Sequence, residues 1–296
     1  MKKLFAGIEA GGTKFVCAVG TDPQNLNEIR FSTSTPKETI TKAIKYFKGY
    51  RNKLSAIGIG SFGPIDINPK SKTYGHITST PKRGWKDTPF LSRIKKELKI
   101  PAAFDTDVNA AALGEYYWGA AKGLKNFIYL TIGTGIGGGG MINGKLMRGL
   151  SHPEMGHIFI GREAGDKYKG HCPFHKNKCL EGLACGPAVQ ERWKKTAKEL
   201  GKNHKAWELQ ARYISKALIN YICVLSPERI ILGGGIMNQK HLLALIRSDV
   251  KKELNNYIQA PEITKKISAY IVSPGLKEKS GILGAIALAK EAYEKK

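Results

Sequence analysis

The stretch Leu4 to Gly20, LFAGIEAGGTKFVCAVG, decides the fold. Apolar and β-branched residues flank Gly11-Gly12-Thr13-Lys14 on both sides, so it reads as strand, glycine turn, strand. Working outward, Asn27 to Ser34 supplies a third strand. Pro36 to Tyr50 has helical spacing at Ile40, Ala43, Ile44 and Phe47, with Thr35 as its start signal. Ser55 to Ser61 is a short buried strand that runs into Gly63-Pro64. A helix over Pro89 to Lys99, a strand over Ala102 to Asp105 and a helix from Val108 to Trp118 follow.

The plan then restarts. Asn126 to Gly140, NFIYLTIGTGIGGGG, is again an apolar strand running into a glycine turn, with Gly137 to Lys145 as the return strand. A loop-rich stretch from Ser151 to Cys179 precedes helical patterns at Ala188 to Leu200 and Ala206 to Leu225. A strand at Arg229 to Leu232 meets Gly233-Gly234-Gly235; a helix, a strand at Ile267 to Val272 and a last helix from Ser280 to Glu294 complete the chain. Two glycine-turned hairpins, each heading an α/β unit, predict two similar lobes with a cleft between them, where chemistry is expected.

The totals agree with this plan. A chain of 296 residues, 42% hydrophobic and with 34 glycines, suits two α/β lobes rich in tight loops. Met1-Lys2-Lys3 followed by Leu4 and Phe5 mimics a secretory signal, but Glu9 and Lys14 interrupt the apolar run. No window approaches the roughly 20 apolar residues of a membrane span. The expectation is a cytoplasmic protein with no membrane partner. The five cysteines, at positions 17, 172, 179, 185 and 223, are odd in number and two stand beside histidines. A reducing compartment with one metal site explains them better than a disulfide framework.

The formal charge of +24 raises nucleic-acid binding as a function class. The lysines, however, are spread along the whole chain, with no arginine-rich tail and no basic run interleaved with aromatics. Runs such as Arg93-Ile94-Lys95-Lys96 read as solvated helix faces. No nucleic-acid partner is expected, and the charge is read as solubility plus attraction for an anionic nucleotide.

A turn without side chains lets phosphate oxygens approach backbone N–H groups. Gly11, Gly12, Thr13 and Lys14 form one such turn, adding a hydroxyl and an ammonium. Gly133, Thr134 and Gly135, with Gly137 to Gly140, form a second, and Gly233, Gly234 and Gly235 a third. One alone marks a bulge or close packing as readily as a ligand; three together point to ATP. Neither a P-loop nor a protein-kinase catalytic loop is present.

His157, Cys172, His175 and Cys179 form a two-Cys, two-His set in a loop with little apolar content of its own. Such a loop gains order from a metal, and these ligands suit a tetrahedral, structural Zn²⁺. His171 and Cys185 are alternative ligands.

Glu9-Ala10-Gly11-Gly12-Thr13-Lys14, Thr106-Asp107-Val108-Asn109, Thr131 to Gly140 and Glu154-Met155-Gly156-His157 resemble the ROK family of sugar kinases and repressors. The likeness runs in order from residue 4 to about 290. Ile8 to Lys14, with Gly60-Ser61-Phe62-Gly63-Pro64, looks most like the family's bacterial, zinc-containing fructokinase branch. The resemblance implies an α/β, two-lobed actin/hexokinase-like fold (a duplicated ribonuclease H-like unit) with an inter-lobe cleft. Residues 1–115 with about 280–296 would form the smaller lobe, and 116–279 the larger lobe carrying the zinc loop.

By the same resemblance Asp107 is the catalytic base, although a carboxylate there is otherwise a routine helix cap. Asp105 is expected to be structural. Gly63, Asn109, Glu154, His157 and Glu181 become substrate-binding residues, with Glu154 and Glu181 accepting hydrogen bonds from sugar hydroxyls. A zinc linking the flanks of these two glutamates would fix both against one ring. Gly63-Pro64 and Gly84-Trp85 would shape the sugar pocket. Three departures stand out. Thr106 occupies a position where asparagine is usual, and Glu9 one where aspartate is usual; Glu9 could hold Mg²⁺ directly or through water. Glucokinase-like members carry Cys-x-Cys-Gly-x-x-Gly-Cys-x-Glu, where this chain keeps Cys172 and Cys179-x-Glu181 but has Phe174 and His175 between them.

The implied reaction is ATP plus D-fructose giving ADP and fructose 6-phosphate, in a homodimer whose cleft closes to exclude water. Glucose, mannose and N-acetylhexosamines fit the same framework. A sugar-sensing regulator is the rival class; it would need a helix-turn-helix before the first glycine loop, which here begins at residue 11.

Overall fold

The two glycine-turned hairpins each seed a sheet. The computed structural model describes residues 3–295; Met1 and Lys2, part of the stretch weighed as a secretory signal, and Lys296 lie outside the described residues. In chain order the elements begin with β1 (Leu4–Ala10), β2 (Lys14–Asp22), β3 (Asn25–Ser32), α1 (Pro36–Lys48), β4 (Leu54–Ser61), α2 (Phe90–Leu98), β5 (Ala102–Thr106) and α3 (Asp107–Trp118). They continue through β6 (Phe127–Ile132), β7 (Ile136–Ile142), β8 (Lys145–Leu146), α4 (Leu180–Ala184), α5 (Gly186–Trp193) and α6 (Ala206–Leu225). The chain ends with β9 (Arg229–Gly233), α7 (Lys240–Leu254), α8 (Pro261–Thr264), α9 (Ile267–Tyr270), β10 (Ile271–Val272) and α10 (Ser280–Glu294).

The chain divides into two compact units. The first takes residues 1–123, 146–153 and 275–296, and the second 124–145 and 154–274. The first sheet runs β3-β2-β1-β4-β5, with β1 antiparallel to β2 and parallel to β4. Side chains alternate across it. Ala6, Ile8 and Ala10 face a core shared with Ile40 and Phe47 of α1 and Phe90 and Leu91 of α2. Phe5 points the other way, onto Ile286 and Ala289 of α10. On that face β4 needs Gly58, because any β-carbon there would collide with the carbonyl of Ala285.

The second sheet repeats the plan. Its order is β10-β9-β6-β7-β8, with β6 antiparallel to β7 and parallel to β9. Among the described residues no helix is long and apolar enough to cross a membrane.

Three elements differ from the sequence reading. The return strand expected through Lys145 ends at Ile142 and doubles back through Asn143 (φ 52°) and Gly144 (φ 72°), the pair of left-handed residues a tight hairpin demands. The helix expected over Ala188 to Leu200 starts earlier, at Gly186 with Pro187 in its first turn, and stops before left-handed Lys194. The strand expected at Ile267 to Val272 survives only as β10, its first four residues forming α9. Here Arg229 donates to the carbonyl of Ala269, and Arg247 to those of Ser268 and Ile271. These arginines occupy carbonyls that a longer edge strand would leave unpaired.

Candidate active site and metal centre

Two aspartates two residues apart meet different fates at the β5–α3 junction. Asp105 is fully buried, and both its oxygens are saturated. Its Oδ2 takes the fork of Arg148 (Nε at 3.0 Å, Nη2 at 2.6 Å), while Oδ1 accepts from the Thr106 N–H at 2.7 Å and Asn109 Nδ2 at 2.9 Å. Asp107, the first residue of α3, is half-buried, and its Oδ1 accepts from the Val108 N–H at 2.9 Å. Thr106 caps the helix, its hydroxyl accepting from the Asn109 N–H at 3.1 Å. Asn109, expected at the substrate, is buried, and its amide hydrogens go to Asp105 and to the carbonyl of Met147 (3.1 Å). Its side chain belongs to the frame that holds this turn.

In the first glycine turn, Gly11 N–H donates to the Lys14 carbonyl at 2.9 Å, and Thr33 Oγ1 donates to the Gly11 carbonyl at 2.7 Å. Open space lies beside Gly12, and Thr13 and Lys14 are exposed, so bare backbone and a cation meet solvent together. Glu9 reaches the start of α10, where its carboxyl packs against Gly281 and accepts from the Ile282 N–H. Its Oε2 is sealed from solvent without a hydrogen-bond partner, and burial raises the acid from about 4.5 to about 7, against the pull of Lys14 and Arg30. Mg²⁺ keeps most of its waters and wants octahedral oxygen ligands. A sealed single oxygen does not fit that ion as a direct ligand.

Gly63 precedes Pro64 through a cis peptide and lies against the ring of His152, whose Nε2 accepts from the Ile65 N–H at 3.1 Å. Trp85 is not a pocket wall. It is wholly buried among Phe15, Phe62 and Phe90, and its Nε1 donates to the Ser34 carbonyl at 2.8 Å.

In the second unit the turn at Gly133, Thr134 and Gly135 is held by the Gly133 N–H on the Gly135 carbonyl (2.9 Å) and the Gly186 N–H on the Gly133 carbonyl (2.7 Å). Gly233 to Gly235 pass beside it. A β-carbon on Gly133 would stand 3.9 Å from the Gly235 nitrogen, and Gly235 itself has open space around it. Gly234 adopts φ 92°, where only glycine is at ease. Two bare backbones thus lie side by side, an arrangement suited to phosphate. Gly135 is small for another reason: a β-carbon there would come within 2.8 Å of Glu181 Oε2.

Glu181 opens α4 and is half-buried; Oε2 accepts from the Ile136 N–H at 2.9 Å, and Oε1 lies 3.7 Å from His157 Nε2. Glu154 is exposed, three residues before His157. The other nitrogen of His157 faces the thiols. His157 Nδ1 is 3.8 Å from both Cys172 and Cys179 Sγ, and His175 Nδ1 is 3.8 Å from Cys172 Sγ. One ligand atom from each of these four residues lies within 4.8 Å of the others. Bonds of about 2.3 Å to sulfur and 2.0 Å to nitrogen at tetrahedral angles separate the ligands by about 3.6 Å, so the set fits Zn²⁺. Burial pushes the Cys179 thiol up to about 12, so its thiolate calls for a cation. The alternatives are engaged elsewhere: His171 pairs with Glu191 at 2.7 Å, and Cys185 is buried at the start of α5.

The ROK family model matches residues 5–292. The chain belongs to the ROK family. A protein of Bacillus subtilis (strain 168) is 52% identical over 292 residues, covering 98% of this chain and 97% of its own. A fructokinase of Lactococcus lactis subsp. cremoris is 46% identical over 298 residues, covering both chains completely. The ROK hexokinase structure from Thermus thermophilus shares the fold, with a TM-score of 0.80 at 24% identity over 99% of this chain and 100% of that one. As a ROK member the chain has the hexokinase-like two-domain α/β architecture that the family resemblance implies. Sequence reasoning missed Arg148 and His152, a lone arginine and a lone histidine whose partners lie 43 and 87 residues away.

Proposed function

We propose that this ROK protein is an ATP-dependent fructokinase, moving the γ-phosphoryl of ATP to the 6-hydroxyl of D-fructose. The observation that carries the reading is the contrast at the β5–α3 junction. Asp105 has both oxygens saturated, while Asp107 stands half-exposed at a helix N-terminus.

In this mechanism Asp107 accepts the proton of the attacking hydroxyl. Glu154 and Glu181 accept hydrogen bonds from sugar hydroxyls, and Gly63 lets the ring come close to backbone. Asn109 serves the site by fixing the turn. The Gly11–Lys14 turn, Gly133–Gly135 and Gly233–Gly235 receive the nucleotide through bare N–H groups, with Lys14 adding positive charge. Mg²⁺, carried on the ATP phosphates, supplies neutralisation of the charge on the transferring group.

His157, Cys172, His175 and Cys179 would hold a structural Zn²⁺ in this reading; bound there it would order the loop, and His157, 3.7 Å from Glu181, would steady that carboxylate. None of the five cysteines is disulfide-bonded, which supports a cytoplasmic location. The family resemblance supports a homodimer, to be checked by sedimentation. The likeness to a named fructokinase favours fructose over glucose, mannose or N-acetylhexosamines.

The test is ADP formation with ATP and Mg²⁺ across these sugars. Fructose should give the highest kcat/KM. Preference for another hexose would replace the acceptor and keep the mechanism, while no turnover by metal-replete protein would sink the kinase and favour a sugar sensor.

A further inference from the structure

The segment 146–153 leaves the second unit after Lys145, joins the first, and returns at Glu154. Hydrogen bonds with Asn109, Asp105 and Ile65 hold this strap. The Met147 carbonyl accepts from Asn109 Nδ2 at 3.1 Å, Arg148 forks onto Asp105, and His152 Nε2 accepts from the Ile65 N–H at 3.1 Å. A tight turn at its tip, Gly149 N–H to the Ser151 carbonyl at 2.9 Å, keeps the strap short.

Asp105 is the knot. Its carboxylate is inaccessible, yet the Arg148 side chain that neutralises it is 47% exposed. An exposed arginine gains little from a surface pair, but here its planar fork reaches a buried anion that has no other cation partner among the resolved bonds. The second oxygen of that anion binds Thr106 and Asn109, the residues on either side of the Asp107–Val108 step. One carboxylate therefore fastens the turn carrying Asp107 on one oxygen and the strap running into Glu154 on the other.

We propose that Arg148 is a positioning residue for the phosphoryl transfer. By clamping Asp105 it sets the turn that presents Asp107 and the strap that delivers Glu154. The proposal rests on the roles given to Asp107 and Glu154 above. It goes beyond them in making a residue that touches neither substrate govern sugar use. Lysine cannot replace the fork, being a point charge without a planar pair of donors.

The experiment compares steady-state kinetics of Arg148→Met, Arg148→Lys and the double variant Asp105→Asn/Arg148→Met. The double variant removes the buried charge with its partner, so it tests position without leaving an unpaired anion. The expected result is a fall of about 100-fold in kcat/KM for fructose in Arg148→Met, the scale of a misplaced catalytic group. KM for ATP should stay unchanged, Arg148→Lys should recover only part of the loss, and the double variant should regain thermal stability without regaining activity. Wild-type kcat/KM for fructose in the double variant would overturn the proposal, as would an equal rise in both KM values. Asp107→Asn is run alongside: full activity there overturns the base assignment alone, and the clamp is then judged on the fructose KM of the Arg148 variants.

Discussion

The β5–α3 junction and the loop from Ser151 to Cys179 both hold carboxylates in place, by opposite means. At the junction the backbone is regular, the helix is capped by Thr106, and Asp105 is locked by four bonds from its own unit. A short helical turn at Met155–His157 lies within the loop near Glu154, the short helix Leu180–Ala184 just after it carries Glu181, and four soft or borderline ligands gather in the loop. One region is pre-set by packing; the other gathers four residues whose ligand atoms lie within 4.8 Å of one another and could hold a metal. Removing a cap or bond from the first should cost local stability, whereas removing the metal from the second should release the whole loop.

The largest difference lies within the junction itself. Asp107→Asn should lower kcat by about 1,000-fold with little change in melting temperature, since a positioned base supplies roughly 10² to 10⁴ in rate. Stripping the metal comes next. Elemental analysis should find about one zinc per chain, and a strong chelator or Cys172→Ser should raise the fructose KM by about 10-fold or more, with a smaller effect on ATP, as lost second-shell support does elsewhere. If the loop keeps its sugar affinity without zinc, the contrast between the two regions collapses.

Glu9 gives a smaller, pH-dependent effect. Its folded pKa is raised, from about 4.5 to about 7, so the folded protein holds the extra proton between those values. Its contribution is therefore fully present below pH 4.5 and is lost as pH rises through 7. Glu9→Gln mimics the protonated acid, and should match the wild type in urea unfolding near pH 4.5 but be more stable by about 3 kcal/mol above pH 8. Equal stabilities at both pH values would show that the carboxyl is not sealed. The smallest effect is at the β7–β8 hairpin, where Gly144→Ala should cost about 1 kcal/mol through its left-handed φ, without touching kinetics.

Much of this was legible in the sequence wherever burial imposes a period. The β1–β2 and β6–β7 hairpins carried apolar runs on both sides of glycine, and α6 and α10 begin and end where their apolar spacing does. The grouping of His157, Cys172, His175 and Cys179 was legible because three of the four are close in sequence. What escaped was decided by distant partners. Ile267 to Tyr270 has strand-like residues, but arginines from β9 and α7 take its carbonyls. The bonds from the Asn109 amide hydrogens to Asp105 and Met147 depend in part on a partner 38 residues away. Arg148 is one cation among many in a chain of charge +24, and only the fold reveals the buried anion beneath it. Asn143-Gly144 did carry a local signal, the dipeptide that favours a two-residue hairpin.

The central claim is that this chain transfers phosphoryl to a fructose hydroxyl with Asp107 taking the proton. Phosphorus NMR of ATP, Mg²⁺ and fructose with the wild-type protein and with Asp107→Asn tests it most directly. The account predicts a fructose 6-phosphate signal growing in step with ADP for the wild type, and none over the same period for the variant. A sugar phosphate formed at the wild-type rate by Asp107→Asn, or ADP released without any sugar phosphate, would contradict it.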